Sequence, residues 1–348
     1  MQNFLTTALI FVFLTSCSSS APTQAQSITP ISLPTPTNAQ IATVTPSEFV
    51  IQTKDMQPTL VSDKLWIDSI AIENSQSLWL IGIGEATNQK YSLINYDRKD
   101  WHVFEIPTNM VSCYANAPVR VADLVVEEDG TVWGNSGCRI FRFDGNTWRA
   151  YSNDDGIGQG DISALVIDQS GDIWVGTDEG FVSKFDKTEW TTYSKNDSTN
   201  LDKIHSSIVL PDGTLWFGGL GGISRFDGKH WTTYNHHDQY NHPIEAVEIA
   251  PTKDGGIWAV ENAVEHAVFY FDGKNWKTVN EIESRCTSIF IDQNNYVWLG
   301  APNRLFYSTG NDWLEIPIST VTGMAQTQDG TIWFGTHGGL YLYNSVEQ

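Results

Sequence analysis

The order of residues predicts an all-β chain, a seven-bladed β-propeller of four-stranded antiparallel blades. Three observations predict it: two interleaved series of tryptophans, a recurring Asp-Gly phrase, and the lack of any helical apolar period after Lys54. Trp79, Trp133, Trp174, Trp216, Trp258, Trp298 and Trp333 are separated by 54, 41, 42, 42, 40 and 35 residues. Trp101, Trp148, Trp190, Trp231, Trp276 and Trp313 trail them by 22, 15, 16, 15, 18 and 15. Thirteen of the fourteen tryptophans therefore fall into two registers, and a fixed period near 40 marks a repeat architecture.

At the N-terminus, Leu5 to Leu14 is almost wholly apolar, the length of a signal-peptide core and too short to span a bilayer. Leu14-Thr15-Ser16-Cys17 follows and resembles the bacterial lipoprotein box, although no Lys or Arg precedes the apolar run. Residues 1–16 are thus expected to be a lipoprotein signal peptide and Cys17 the lipidated residue. Each buried CH₂ of an acyl chain contributes about 0.8 kcal/mol, so several chains make a firm anchor. Residues 18–47 hold six Ser, six Thr, five Pro and no charge, a composition that cannot bury a core. Residues 17–47 are accordingly read as anchor and linker, and 48–348 as the propeller.

Within the propeller, residues 203–234 give the clearest unit, with four short strands, IHSSIVL, TLWFG, ISRF and HWTTY. Asp212-Gly213 and Asp227-Gly228 mark its hairpins, read as two-residue type I′ turns. Four-stranded units at this period bury both apolar faces by packing radially, with the tryptophans filling the space between blades. The seventh unit ends at Tyr341-Leu342-Tyr343 without its Trp-bearing strand, while Glu48 to Gln52 stands as a strand-like orphan ahead of the first. Residues 48–52 are therefore expected to complete the last blade and close the ring.

With 41 Asp and Glu against 20 Lys and Arg, the net charge is −21, which disfavours nucleic acid and anionic membrane surfaces as partners. Hydrophobic residues make up 41%, enough for a large core.

The phrase DGTLWFGGLGGISRFDGKHWTTY (residues 212–234) resembles the two-component-regulator propeller repeat. That resemblance extends over about residues 48–348, strongly in units two to five and seven and loosely in one and six. It implies kinship with the extracytoplasmic sensor propellers of hybrid histidine kinases and with stand-alone secreted propellers. Because the chain stops after the propeller, the expectation is the ligand-receiving part without a kinase. The location expected is the cell envelope, lipid-anchored at the outer membrane, the periplasm or the cell surface.

Function in a propeller gathers on the face made by the loops that enter each innermost strand, because the strands are committed to packing. The repeat register places Asp68, Ser163, His205, Glu245, Thr287 and Thr322 near the starts of these strands, with Trp66, Arg120, Asp161, Lys203 and Arg285 just before. Trp66, Asp68, Arg120, Asp161, His205, Glu245, Arg285 and Thr322 are the candidate ligand-binding set, suited to a polar ligand such as a glycan or to a protein partner. His236, His237 and His242, beside Asp238, are candidate ligands for a borderline metal, although their spacing matches no zinc signature. The eight Asp-Gly pairs sit singly at hairpins and lack the alternating oxygens of a calcium loop.

Cys113 and Cys138 map to one face of the second blade and are expected to pair, whereas Cys286 is expected to be a buried thiol. No catalytic motif is present: no GxSxG, phosphate loop, HExxH or GxGxxG in a strand-to-helix setting. The sequence calls for no cofactor and favours a tethered binder, ahead of a scaffold and of a propeller lyase or hydrolase.

Overall fold

A computed structural model describes residues 58–344, apart from 89, 112–120, 122, 238–240, 262–267, 283, 309 and 311. The described residues form seven four-stranded antiparallel sheets, each with its strands in consecutive order except the last. Blade 4 shows the plan: Ile204–Val209 innermost, then Leu215–Gly219, Gly222–Phe226 and Trp231–Asn235. Helix is limited, among the described residues, to one α-turn at Thr108–Val111 and three short 3₁₀ turns.

Local chemistry explains the strand boundaries. The hairpin between the first two strands of blade 4 is closed by Leu210 N–H to Thr214 O (2.9 Å) and Gly213 N–H to Leu210 O (2.9 Å). Only Gly213 takes a positive φ, 84°. This is a three-residue loop ending in a left-handed residue, not the expected type I′ turn, in which both central residues need φ > 0. Asp212 Oδ1 accepts from the Thr214 N–H instead, so aspartate fixes the turn through its carboxylate. At the outer hairpin, Asp227 Oδ1 accepts from the N–H groups of both Lys229 and His230.

The core lies between blades, in seven apolar clusters. Six of the seven second-strand tryptophans are at most 6% exposed. A carboxylate six residues upstream binds the indole N–H in three blades: Glu127 for Trp133, Asp168 for Trp174 and Asp292 for Trp298. The fourth-strand tryptophans are half-buried, and in blades 1 to 5 each meets the aromatic residue that ends the third strand. These contacts run from Trp101–Tyr96 at 4.2 Å to Trp276–Phe271 at 5.1 Å between centroids.

Ring closure takes the expected form with a different segment. The fourth strand of blade 7 is Thr59–Ser62, paired antiparallel with Gly339–Tyr343 through Thr59 opposite Leu342 and Ser62 opposite Leu340. The position assigned to residues 48–52 is therefore filled by 59–62, and 48–52 lie outside the described residues. The spacing argument failed because it assumed a long crossing loop. Only Asp63 and Lys64 separate the closing strand from Leu65–Ile72, whereas ten residues separate the corresponding strands of blades 4 and 5. Arg98 of blade 1 fastens this seam from the other side, with Nη1 2.8 Å from Asp329, Nη2 donating to Thr327 Oγ1, and its guanidinium over the Trp333 ring.

Candidate functional site: the mouth and wall of the channel

The blades align on the innermost-strand residue opposite each second-strand tryptophan: Ala71, Val125, Val166, Ile208, Ala250, Phe290 and Ala325. Five positions before it, at the mouth of the channel, stand Trp66, Asp161, Lys203, Glu245, Arg285 and Thr320. Three positions before it come Asp68, Ser163, His205, Val247, Thr287 and Thr322. Glu245 thus belongs to the outer ring and not, as expected, beside His205 in the inner one, where blade 5 has Val247.

In five blades the inner-ring residue is a β-bulge, an extra residue that turns a side chain out of the ladder: Asp68, Ser163, His205, Val247 and Thr322. Several of these side chains reach the next blade. Ser163 donates to the Ile204 carbonyl, and Thr322 Oγ1 donates to the Ile67 carbonyl at 2.7 Å. His205 Nε2 lies 2.8 Å from Glu245 Oε1, and the Glu245 N–H donates to Glu261 Oε1 at 3.1 Å. The structure therefore brings His205 and Glu245 together across the boundary of blades 4 and 5. Asp68 is half-buried, Asp161 and Arg285 are exposed, and Arg120 lies outside the described residues.

Trp66 is 48% exposed and stacks on His337, centroids 3.9 Å apart. His236 is half-buried and lies parallel to Trp276 at 5.0 Å, while His237 and His242 are exposed. Among the described residues, no group of three or more His, Cys, Asp or Glu is arranged to hold a metal ion. Cys138 is disulfide-bonded, and its expected partner Cys113 lies outside the described residues, as does Cys17. Cys286 is a free, fully buried thiol whose pKa burial pushes up to about 12, so it is no nucleophile.

Two acids on the channel wall escaped the sequence reading. Two positions before the alignment point the blades carry Ser69, Asp123, Ala164, Ser206, Glu248, Ser288 and Gly323. Glu248 Oε2 accepts from the Ile289 N–H (3.1 Å), and the Asp123 carboxylate from the Leu165 N–H, each in the following blade. Burial pushes Asp123 up to about 7. Burial, with the charge of Asp123 added, pushes Glu248 to about 8. Both keep partial exposure toward the channel while protein surrounds them. The signal was available, because these are the two acids in a ring otherwise made of small residues.

Residues 156–179 and 315–338 match the family model described as two component regulator propeller, in line with the resemblance read from the repeat. Among solved structures, the chain is similar to a streptogramin B lyase, with TM-score 0.64 and 17% identity over 83% of this chain and 97% of that one. A catalytically inactive virginiamycin B lyase from Staphylococcus aureus with quinupristin gives TM-score 0.63 and 17% identity, covering 83% and 98%. The extracellular domain of a protein described as a hybrid two component system from B. thetaiotaomicron gives 0.61 and 16%, covering 81% of this chain and 40% of that one. At these identities the likeness is one of fold. Comparison with curated proteins finds no match.

Proposed function

We propose that the protein is an extracytoplasmic binding module, tethered through lipidated Cys17, that takes a polar, glycan-like ligand at the mouth of its channel. The observation that carries this reading is the His205–Glu245 pair, held at 2.8 Å by side chains of two blades at the end where Asp161, Lys203 and Arg285 also emerge. Donors and acceptors of both charge signs, set at or just before the innermost strands, suit a ligand rich in hydroxyl groups. The disulfide at Cys138 supports an oxidising compartment, and the similarity to extracellular sensor domains agrees with it.

Replacing His205, Glu245 and Arg285 together by alanine should leave the fold intact and abolish binding on a glycan array. Unchanged array binding would place the ligand elsewhere. Cys17→Ala should release the protein from membranes, and unaltered partitioning would refute the tether.

A second reading has one observation in its favour. A carboxylate that orients an imidazole is the arrangement of a general base, and propeller lyases share this fold. Product formation that His205→Ala abolishes, without loss of ligand affinity, would move the protein from binder to enzyme.

A further inference from the structure

Trp66 is the fourteenth tryptophan, the one that neither packing series contains. It occupies the mouth register where other described blades carry Asp161, Lys203, Glu245, Arg285 or Thr320. One face of its indole is covered by the His337 ring, with planes 30° apart, so the 48% exposure belongs to the other face and the edge. The two rings come from opposite sides of the closure seam. Trp66 is in the innermost strand of blade 1, four residues beyond the closing strand, and His337 is in the turn between Ile332–Thr336 and Gly339–Tyr343 of blade 7. Around them lie hydrogen-bonding groups. The His337 N–H donates to the Thr320 carbonyl (3.1 Å), Thr320 Oγ1 accepts from the Asn303 N–H (3.3 Å), and Lys64 and Glu85 form an exposed ion pair.

We infer that the free face of Trp66 is a stacking subsite for a flat-faced, hydroxyl-rich ring such as a pyranose, and that filling it stabilises closure of the propeller. This rests on the mouth being the ligand face. A single flat wall backed by one stacked ring does not make the many-sided cage that holds a quaternary ammonium. Nor does it make the paired aromatic ridges that hold a polyproline helix. It does match the weakly polar face of a sugar ring, whose edge hydroxyls need donors and acceptors of no fixed sign. His337 of blade 7 backs the indole of blade 1, so the wall is held in place only when the two blades are joined. Mass action then favours the closed ring.

The test uses the whole chain, an array of neutral oligosaccharides, calorimetric titration of each hit, and thermal melts with and without it. Trp66→Ala should weaken the hits tenfold or more and Trp66→Phe by less. The sugar should raise the melting temperature of the parent protein but not of Trp66→Ala. Should Trp66→Ala fail to fold, Trp66→Phe and His337→Ala decide by the same titration. Hits lost with the His205, Glu245 and Arg285 triple variant but kept with Trp66→Ala would overturn the subsite and leave the mouth reading standing. Hits indifferent to both variants would overturn both, and an array without hits would overturn the sugar subsite. A sugar that binds through Trp66 yet leaves the melting temperature unchanged would overturn the coupling.

Discussion

Blade 4 and blade 7 solve the same problem with different material. Blade 4 is one stretch of chain, and its fourth strand brings Trp231, which stacks on Phe226 at 4.6 Å. Blade 7 borrows Thr59–Ser62 from the other end of the propeller, and that strand brings no aromatic residue. Val61 and Leu342 pack against the apolar cluster that holds Trp333, and polar links that join residues far apart in sequence add to it. Arg98 binds Thr327 and Asp329, and Thr322 Oγ1 donates to Ile67 O. The difference teaches that a continuous blade can rely on aromatic packing, whereas a blade assembled from both ends of the repeat array gains from directional bonds that fix its register.

The largest expected effect is at Gly339, where φ is 125° and a Cβ would collide with the Ser62 carbonyl of the closing strand. Gly339→Ala should cost on the order of 3 kcal/mol and open the chain near residue 62 to limited proteolysis. Gly222→Ala, with φ 135° and a collision with the Tyr234 carbonyl, should cost a similar amount but leave residue 62 protected. Equal cleavage in the two variants would erase the distinction between the blades.

Next in size is a pH effect that separates the channel from the seam. Asp123 and Glu248 have folded pKa values raised to about 7 and about 8, so the folded protein holds protons that the unfolded chain releases. Stability from this source is full below the unfolded carboxyl value near pH 4 and falls as pH rises through about 7 to 8, by on the order of a few kcal/mol. Glu248→Gln, which still accepts from Ile289, should flatten that decline in urea titrations between pH 5 and 9.

Asp329 behaves in the opposite sense. Burial alone would raise its pKa, but hydrogen bonds from Arg98, Thr327 and Thr331 hold it well below the carboxylate range. Its contribution is present above the unfolded value and lost as pH falls through the folded one. Arg98→Ala should cost about 1–2 kcal/mol at pH 7, and less in strong acid. The smallest effect is expected from Thr322→Val, about 1 kcal/mol in chemical denaturation, because one inter-blade bond to Ile67 is lost.

Much of the fold was legible because indoles at a fixed period cannot be reconciled with another packing. The closing strand was misplaced because loop length is not encoded in the tryptophan spacing. A two-residue crossing at Asp63-Lys64 moved it ten residues toward the C-terminus. Seven of the eight Asp-Gly pairs lie at hairpins, while Asp155-Gly156 ends a 3₁₀ turn in the crossing between blades 2 and 3. In the hairpins of blade 4 the aspartate acts through its carboxylate and only the glycine is left-handed. Register alone placed Trp66 and His205 at the mouth of the channel but put Glu245 one ring too deep. Asp123 and Glu248 were not legible because one immediately precedes and the other lies within a short apolar strand, and both face a channel that exists only once the blades are assembled.

The closing strand also has a mechanical consequence. Residues 1–58 join the propeller at Thr59, so any tension carried along that segment is delivered first to the pairing of residues 59–62 with 340–342. A pull that strips those few rungs would take the fourth strand from blade 7 and leave the Arg98–Asp329 ion pair and the Thr322–Ile67 hydrogen bond to hold blades 1 and 7 together. In the tethered protein proposed above, the force that holds it in place therefore also loads the strand that completes the ring.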